Sequence, residues 1–339
     1  MTPIMASGEQ EFADLARAHR HELRVHCYRM LGSYTDAEDM VQETLLRAWR
    51  GRGSYEGRST FRAWLYKIAT NACLDFLASP ARKREIAMAV DSAGGPGESV
   101  LAEVTWLQPY PDELLDLAAP AGGEPDAVTI ARETIELAFL AVIQHLPPRQ
   151  RAVLVLRDVA GWSAQETADA LEMSVASIKS SLQRARATLR EQMPHRRADW
   201  GAATAPSEAE RALLQRYIDA SRRADMSALA VLLREDARQA MPPAHLVFAG
   251  RAAILDMWRP VLTGEQAWGE WHTVPLAVNR QPAAANYVRR PGESRYTAVN
   301  IDVLRIEGDL IAEITTFGPE ILPAIGLSLT LSPGDLPAG

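Results

Sequence analysis

Three groups of residues in this 339-residue chain have types and spacings suited to chemistry. In the first, Lys179, Ser180, Gln183, Arg184, Arg186 and Arg190 are interleaved with Ile178, Leu182, Ala185 and Leu189. Apolar residues three and four apart make one helical stripe. The polar side chains are left on the other faces, where they can reach base edges while arginines meet phosphates. Just upstream, Ser163-Ala164-Gln165-Glu166 has capping-box spacing, Thr167, Ala168 and Leu171 continue a short helix, and Glu172-Met173-Ser174 makes a turn. The pattern predicts a helix-turn-helix whose second helix enters a major groove; the plainer alternative is a helical hairpin with solvated arginines.

A second group surrounds Gly51-Arg52-Gly53-Ser54-Tyr55-Glu56-Gly57-Arg58-Ser59, a glycine-rich loop beside a helix start that Ser59 would cap. With Trp64 on that helix and Arg82-Lys83-Arg84 at its end, rings and cations suit single-stranded nucleic acid. A small helical bundle with a solvated basic rim explains the same residues without a ligand. The third group is titratable. His19, His21, His26 and Cys27 are close in sequence, but His19 and His26 are seven apart rather than the four that puts two ligands on one helical face, so no metal site is expected. Asp225, Asp236, His245, His272 and Asp302 are the candidates for a general base. Each has a plainer role: Asp225 caps a helix, His245 follows Pro242-Pro243 in a loop, and Asp302 lies on the solvent face of a strand.

The elements that would hold these groups follow from periodicity. Phe12, Leu15, His19, Leu23, Cys27 and Met30 predict one amphipathic helix, Ala37, Met40/Val41, Thr44/Leu45 and Ala48/Trp49 a second, and Phe61, Trp64/Leu65, Ile68 and Ala72 a third. Ile135, Ala138/Phe139, Val142 and Leu146 predict another, ended by Pro147-Pro148, whose second proline suits the first turn of the next helix. Between these blocks, residues 86–130 hold eight acidic residues and no lysine or arginine. Punctuated by Gly94-Gly95-Pro96-Gly97 and Ala119-Pro120-Ala121-Gly122-Gly123, the segment reads as an acidic flexible linker. It sets the sign of the net charge of -7, because the helical blocks are mildly basic, 13 against 9 over residues 12–85 and 10 against 7 over residues 132–197. A uniformly basic coat is excluded, local basic faces are not.

No run approaches the ~18 apolar residues of a membrane span and the N-terminus lacks a signal-like apolar region, so a soluble, cytoplasmic protein with no membrane partner is expected. Two cysteines, Cys27 and Cys73, without a CxxC, exclude a disulfide framework. After Ala202-Ala203-Thr204-Ala205-Pro206, helices are expected from Ser207, Asp225 and Arg251. Strands then follow over Trp271–Val278, Ala284–Arg290, Tyr296–Ile306 and Leu310–Phe317, the last two joined by Glu307-Gly308-Asp309. Helices first and antiparallel strands after them argue an α+β domain.

Two motifs make a resemblance specific. Asp36-Ala37-Glu38-Asp39-Met40-Val41-Gln42-Glu43-Thr44-Leu45-Leu46-Arg47-Ala48-Trp49, followed by Ser59-Thr60-Phe61-Arg62-Ala63-Trp64-Leu65-Tyr66-Lys67-Ile68-Ala69-Thr70-Asn71, resembles region 2 of bacterial RNA polymerase sigma factors of the extracytoplasmic-function (ECF) group. Leu146-Pro147-Pro148-Arg149-Gln150-Arg151 through Ser177-Ile178-Lys179-Ser180-Ser181-Leu182-Gln183-Arg184-Ala185-Arg186 resembles region 4 of the same group. The resemblance implies a region 2 bundle over 12–85 and a region 4 helix-turn-helix over 131–195. It also implies that Asp39, Gln42 and Glu43 contact core RNA polymerase. Tyr55, Trp64 and Asn71 would melt the minus-10 promoter element and hold a flipped base, returning the unstacking energy. Lys179, Ser180, Gln183 and Arg184 would read the minus-35 element; Ser181 stands where the family often has a basic residue, and Gln183 suits adenine or solvent.

The order of elements over 206–326, with Phe317-Gly318-Pro319-Glu320 near the end, resembles the SnoaL-like cone of the nuclear-transport-factor superfamily. Trp106-Leu107-Gln108-Pro109-Tyr110-Pro111-Asp112 resembles the linker of sigma factors that carry such a domain. The expected fold is multi-domain: two all-α helical domains, then an α+β SnoaL-like cone. That fold hosts isomerases, cyclases and silent binding modules, so it assigns no chemistry alone. Trp258, Trp268, Trp271, Tyr287 and Tyr296 would line a ligand pocket or simply fill the cone. The reading is a sigma factor rather than an enzyme, without metal or cofactor, partnered by core RNA polymerase and promoter DNA, with a regulatory C-terminal domain. A contact of that domain with the sigma regions, and a small ligand in the cone, stand open. The rivals are a free-standing helix-turn-helix regulator and a cone-fold isomerase or cyclase with a DNA-binding appendage; neither needs the Asp36–Trp49 helix with Trp64 and Asn71.

Overall fold

The Ser33 hydroxyl accepts from the Asp36 amide at 3.1 Å and the Thr60 hydroxyl from the Ala63 amide at 3.2 Å, each satisfying a helix N-terminal donor. They start α2 (Tyr34–Gly51) and α3 (Phe61–Ala78), which pack with α1 (Gly8–Leu31) around Leu23, Cys27, Tyr28, Met30, Val41, Leu65 and Cys73. The computed structural model describes residues 8–55, 60–82, 104, 106–117, 135–192, 205–244 and 246–335. Ser59, Lys83 and Arg84 lie outside them. Thr60 takes the capping place expected of Ser59, and Arg82 is buried 3.4 Å from Asp36 instead of extending a basic helix end. The described chain falls into two units, Met1–Met88 with Glu113–Ala203 and Ala89–Asp112 with Thr204–Gly339. Among the described residues no helix is long and apolar enough to cross a membrane.

A short helix, α4 (Asp112–Leu117), precedes the second helical block of α5 (Leu137–Gln144), α6 (Pro148–Leu154), α7 (Ala164–Leu171) and α8 (Val175–Gln192). Pro148 opens α6, and one wide turn over Val155–Val159 closes it. The capping box at Ser163 and Glu166 is made in both directions, at 3.1 and 2.7 Å, and Glu172 ends α7 in the left-handed conformation. The two helical blocks share a core. The Arg151 guanidinium, 3% exposed, donates to the carbonyls of Met30, Gln144 and Leu146 and to Gln144 Oε1, while Gln144 Nε2 donates to the Arg29 carbonyl. Burial, with Arg82 nearby, lowers the Arg151 pKa to about 9. Gly32, at φ +72, lies so close to Gln144 that a Cβ would sit 3.1 Å from its amide carbon; both the conformation and the space call for glycine.

In the second unit, α9 (Glu208–Arg222), α10 (Met226–Leu232) and α11 (Arg251–Leu262) pack on the sheet. Its strands are β1 (Leu233–Met241), β2 (Leu246–Ala249), β3 (Glu270–Val278), β4 (Gln281–Arg289), β5 (Tyr296–Glu307) and β6 (Leu310–Phe317), in the order β2-β1-β6-β5-β4-β3, with β7 (Thr330–Leu331) on β5. Leu214, Tyr217, Leu229, Ile254, Trp258, Leu304 and Ile314 meet in the core beneath the helices. The expected helices and four expected strands are present. The unexpected β1 runs parallel to β6, against an otherwise antiparallel expectation.

Candidate polymerase and nucleic-acid interface

Helices α2 and α3 leave a groove between them. At one end it is lined by Asp39, Met40, Gln42, Glu43, Leu46, Arg47, Asp75 and Phe76, with a volume of about 480 Å3. Asp39 and Gln42 are exposed there, and Leu46 is 49% exposed, a large apolar side chain among acids. The other end, about 300 Å3, is lined by Arg47, Gly51, Trp64, Ile68 and Asn71. So the three residues expected to meet polymerase share one end, and two of the three expected at the minus-10 element share the other.

Tyr55 does not face this groove. It is 9% exposed, its ring 5.1 Å from Trp64 and 5.9 Å from Phe61, in an aromatic cluster that continues through Phe12 to Trp49. Edge-to-face and tilted pairs of this kind fix ring orientation. Tyr55 is thus a buttress behind Trp64, which stays half-buried at the groove. Arg47, Gly51 and Asp75 were not singled out by sequence. Glu43, Arg47 and Gly51 lie four apart on α2, and that spacing was the available signal. The Arg47 guanidinium bonds Asp75 at 2.6 Å and Glu43 at 2.7 Å, and both carboxylates hold it more firmly protonated.

On α8, Ile178, Leu182, Ala185 and Leu189 are buried, as the stripe requires, and Lys179, Gln183 and Arg184 are exposed. Ser180 is half-buried, its hydroxyl donating to the Ser177 carbonyl at 3.1 Å. Arg186 is not free for phosphate, because it grips Asp158 with two bonds of 2.8 and 2.6 Å and braces α8 on the turn after α6.

Among the described residues no cluster of histidine, cysteine and carboxylate side chains could hold a metal. His26 is buried with Nε2 2.9 Å from the Thr70 hydroxyl, and burial, aided by Arg29 and Arg62, lowers its pKa to about 3. Cys27 and Cys73 are buried against each other; burial and the neighbouring thiol push the Cys73 pKa up.

In the cone, Asp302 is not on a solvent face but 4% exposed, accepting from Tyr217 Oη at 3.0 Å, Asn286 Nδ2 at 2.7 Å and Thr316 Oγ1 at 2.7 Å. Burial raises its pKa although all three bonds act to lower it. Asp225 caps α10, Asp236 is exposed and pairs with Arg234 at 2.7 Å, and His245 lies outside the described residues. His272 is half-buried against Tyr296, and burial lowers its pKa. Trp258, Tyr287 and Tyr296 are buried, whereas Trp268, 40% exposed, stacks on Trp271.

Residues 104 and 106–112 lie against this unit. Val104, Leu107 and Tyr110 are buried, and Pro111 bridges Val278. The turn between β3 and β4 is made by Asn279 and Arg280, both left-handed at φ 53 and 59. A side-chain-bearing residue held there costs about 1–2 kcal/mol. Here the turn forms a socket: Asn279 Oδ1 accepts from the Tyr110 amide at 2.7 Å, the Asn279 amide donates to the Tyr110 carbonyl at 2.9 Å, and Asp112 accepts from the Arg280 amide at 2.8 Å. The segment expected as linker therefore contains a structured stretch. The signal for it lay in Trp106–Asp112, its apolar interruption of an acidic run.

Residues 15–83 match the family Sigma-70 region 2, residues 136–189 match Sigma-70, region 4, and residues 214–314 match the SnoaL-like domain. The chain is 38% identical over 320 residues to ECF RNA polymerase sigma factor SigG of Mycobacterium tuberculosis, covering 94% of this chain and 84% of that protein. It is 29% identical over 189 residues to ECF RNA polymerase sigma factor SigW of Bacillus subtilis, covering 55% of this chain and 91% of that one. The crystal structure of the Mycobacterium tuberculosis extracytoplasmic function sigma factor SigJ shares the fold, with a TM-score of 0.57 at 20% identity over 94% of this chain and 99% of that one. With regions 2 and 4 in order and a relative of this identity along nearly its whole length, the chain belongs to the ECF RNA polymerase sigma factors.

Proposed function

We propose that the chain docks on core RNA polymerase and directs it to promoters. The observation that carries this reading is the single α2–α3 groove with an acidic end and an aromatic end, in the same unit as an exposed, cationic α8. Asp39, Gln42 and Glu43, with Leu46 among them, suit a cationic and partly apolar polymerase surface. Trp64 and Asn71 suit an unstacked minus-10 base, one by stacking and one by its amide, and Tyr55 holds the Trp64 ring from behind. Lys179, Gln183 and Arg184 suit base edges and phosphates of a minus-35 element, with Ser180 in a lesser part. Run-off transcription with purified core polymerase tests the reading: specific transcripts should require the chain, and their absence on every template from a genomic library would reject it.

The cone is read as a modulator without catalysis. Supporting this, Asp302 is buried and already accepts from three donors, Asp225 is a cap and Asp236 an ion-pair partner, so each of these carboxylates has a structural role. The seat of Tyr110 and Asp112 on the β3–β4 turn supports control through the linker, since a cone that grips residues 106–112 limits how regions 2 and 4 are tethered. A ligand in the cone would act only by binding one tethered arrangement better than another.

A further inference from the structure

The two ends of the α2–α3 groove share one residue. Arg47 lines both, with Nε on Glu43 and Nη1 on Asp75, and its Nη2 makes no hydrogen bond among the described residues. Neither carboxylate is buried; the Glu43 and Asp75 side chains are 36% and 64% exposed. Both also line the end read as the polymerase site.

We propose that Arg47 is a further nucleic-acid contact, taking a phosphate of the displaced minus-10 strand beside Trp64 and Asn71, and that polymerase docking on Glu43 and Asp75 is what makes it available. This rests on the reading of the groove given above. Glu43, Arg47 and Asp75 together carry one excess negative charge, which repels a phosphate at the aromatic end. A cationic partner over one acid cancels that excess, and over both it reverses the sign. The same partner draws the carboxylates away from the guanidinium, freeing a planar fork suited to two phosphate oxygens. Strand capture is thereby strengthened by polymerase docking through a pair of ion pairs.

The test uses the full chain assembled with core polymerase, on a promoter selected from randomised DNA by that holoenzyme. Arg47→Ala should lower permanganate reactivity of minus-10 thymines about tenfold and reduce the salt slope of opening by about 0.7, one single-strand phosphate contact. Its polymerase association should be unchanged or tighter, because Glu43 and Asp75 are released. Arg47→Lys should keep most of the opening. If Arg47→Ala weakens polymerase association and opening alike, Arg47 is a structural brace and the proposal is overturned. Normal opening in Arg47→Ala with impaired opening in Trp64→Ala overturns the proposal alone. Normal opening in both variants, or selection of no promoter at all, overturns it together with the reading of the groove.

Discussion

Ser180 bonds the Ser177 carbonyl within its own helix, so of the four α8 residues read as minus-35 contacts it has the least to offer a base. Lys179→Ala and Arg184→Ala should each lower promoter affinity by about 1–3 kcal/mol if the lost contact is to a base, or cut the salt slope by about one if it is to phosphate. Ser180→Ala should change either quantity less; binding isotherms from 50 to 200 mM salt decide. His26 carries a second prediction. Its folded pKa of about 3 lies below the ordinary 6.5, so the unfolded chain takes up a proton that the folded one refuses as pH falls through that window. Stability is complete above about pH 6.5 and declines toward pH 3 by about 1.4 kcal/mol per unit. His26→Gln should make the urea midpoint less sensitive to pH between 7 and 5, by about 2 kcal/mol of stability. At this scale residue type was legible and direction was not. Tyr55 and Trp64 are both aromatics near one loop, but only packing against Phe61 decides that one is a buttress.

The α7–turn–α8 element was legible because its start, end and stripe are each local. Ser163 and Glu166 close a box over three residues, Glu172 breaks the helix, and Ile178, Leu182 and Ala185 repeat along one face. Ser163→Ala removes one arm of that box and should cost about 1 kcal/mol, read as faster amide exchange in α7 with little change in α3. Strand β1 was not legible. It carries Arg234, Glu235, Asp236 and Arg238, its buried positions include the small Ala237 and Ala240, and besides its antiparallel neighbour β2 it is held by parallel pairing with the distant β6. Nothing within nine residues announces a parallel partner that lies 75 or more residues away.

At the scale of the whole chain, composition marked the acidic run as a tether and passed over the seat within it. Eight acids without a cation describe most of that segment, but Asp112 finds its cation in Arg280, far along the sequence. Asp112→Ala removes an acceptor for the amide of Arg280, a residue held in the left-handed conformation. Residues 104–112 should then be cut by protease more readily, with promoter preference unchanged and transcriptional output altered. Unchanged proteolysis would argue that Val104, Leu107 and Tyr110 suffice to hold the seat, and unchanged output would argue against control through it.

The bonds from Gln144 and Arg151 to the carbonyls of Arg29 and Met30 also fix a length. A compact body of about 135 residues, the described part of this unit, has a radius of gyration of about 14 Å and a width of about 36 Å. Sites named for positions 35 and 10 upstream of a start are about 25 steps, or about 85 Å, apart on the duplex. A caliper with its jaws shut cannot measure that gap. If Trp64 with Asn71 and Lys179 with Gln183 meet the two elements as proposed, α5 seated on α1 lets the chain grip one site at a time; gripping both requires parting the jaws, and the work of drawing Gln144 from Arg29 then enters its affinity for a complete promoter but not for either half. Gln144→Ala should therefore leave binding to half-site DNA as it was and tighten binding to the whole.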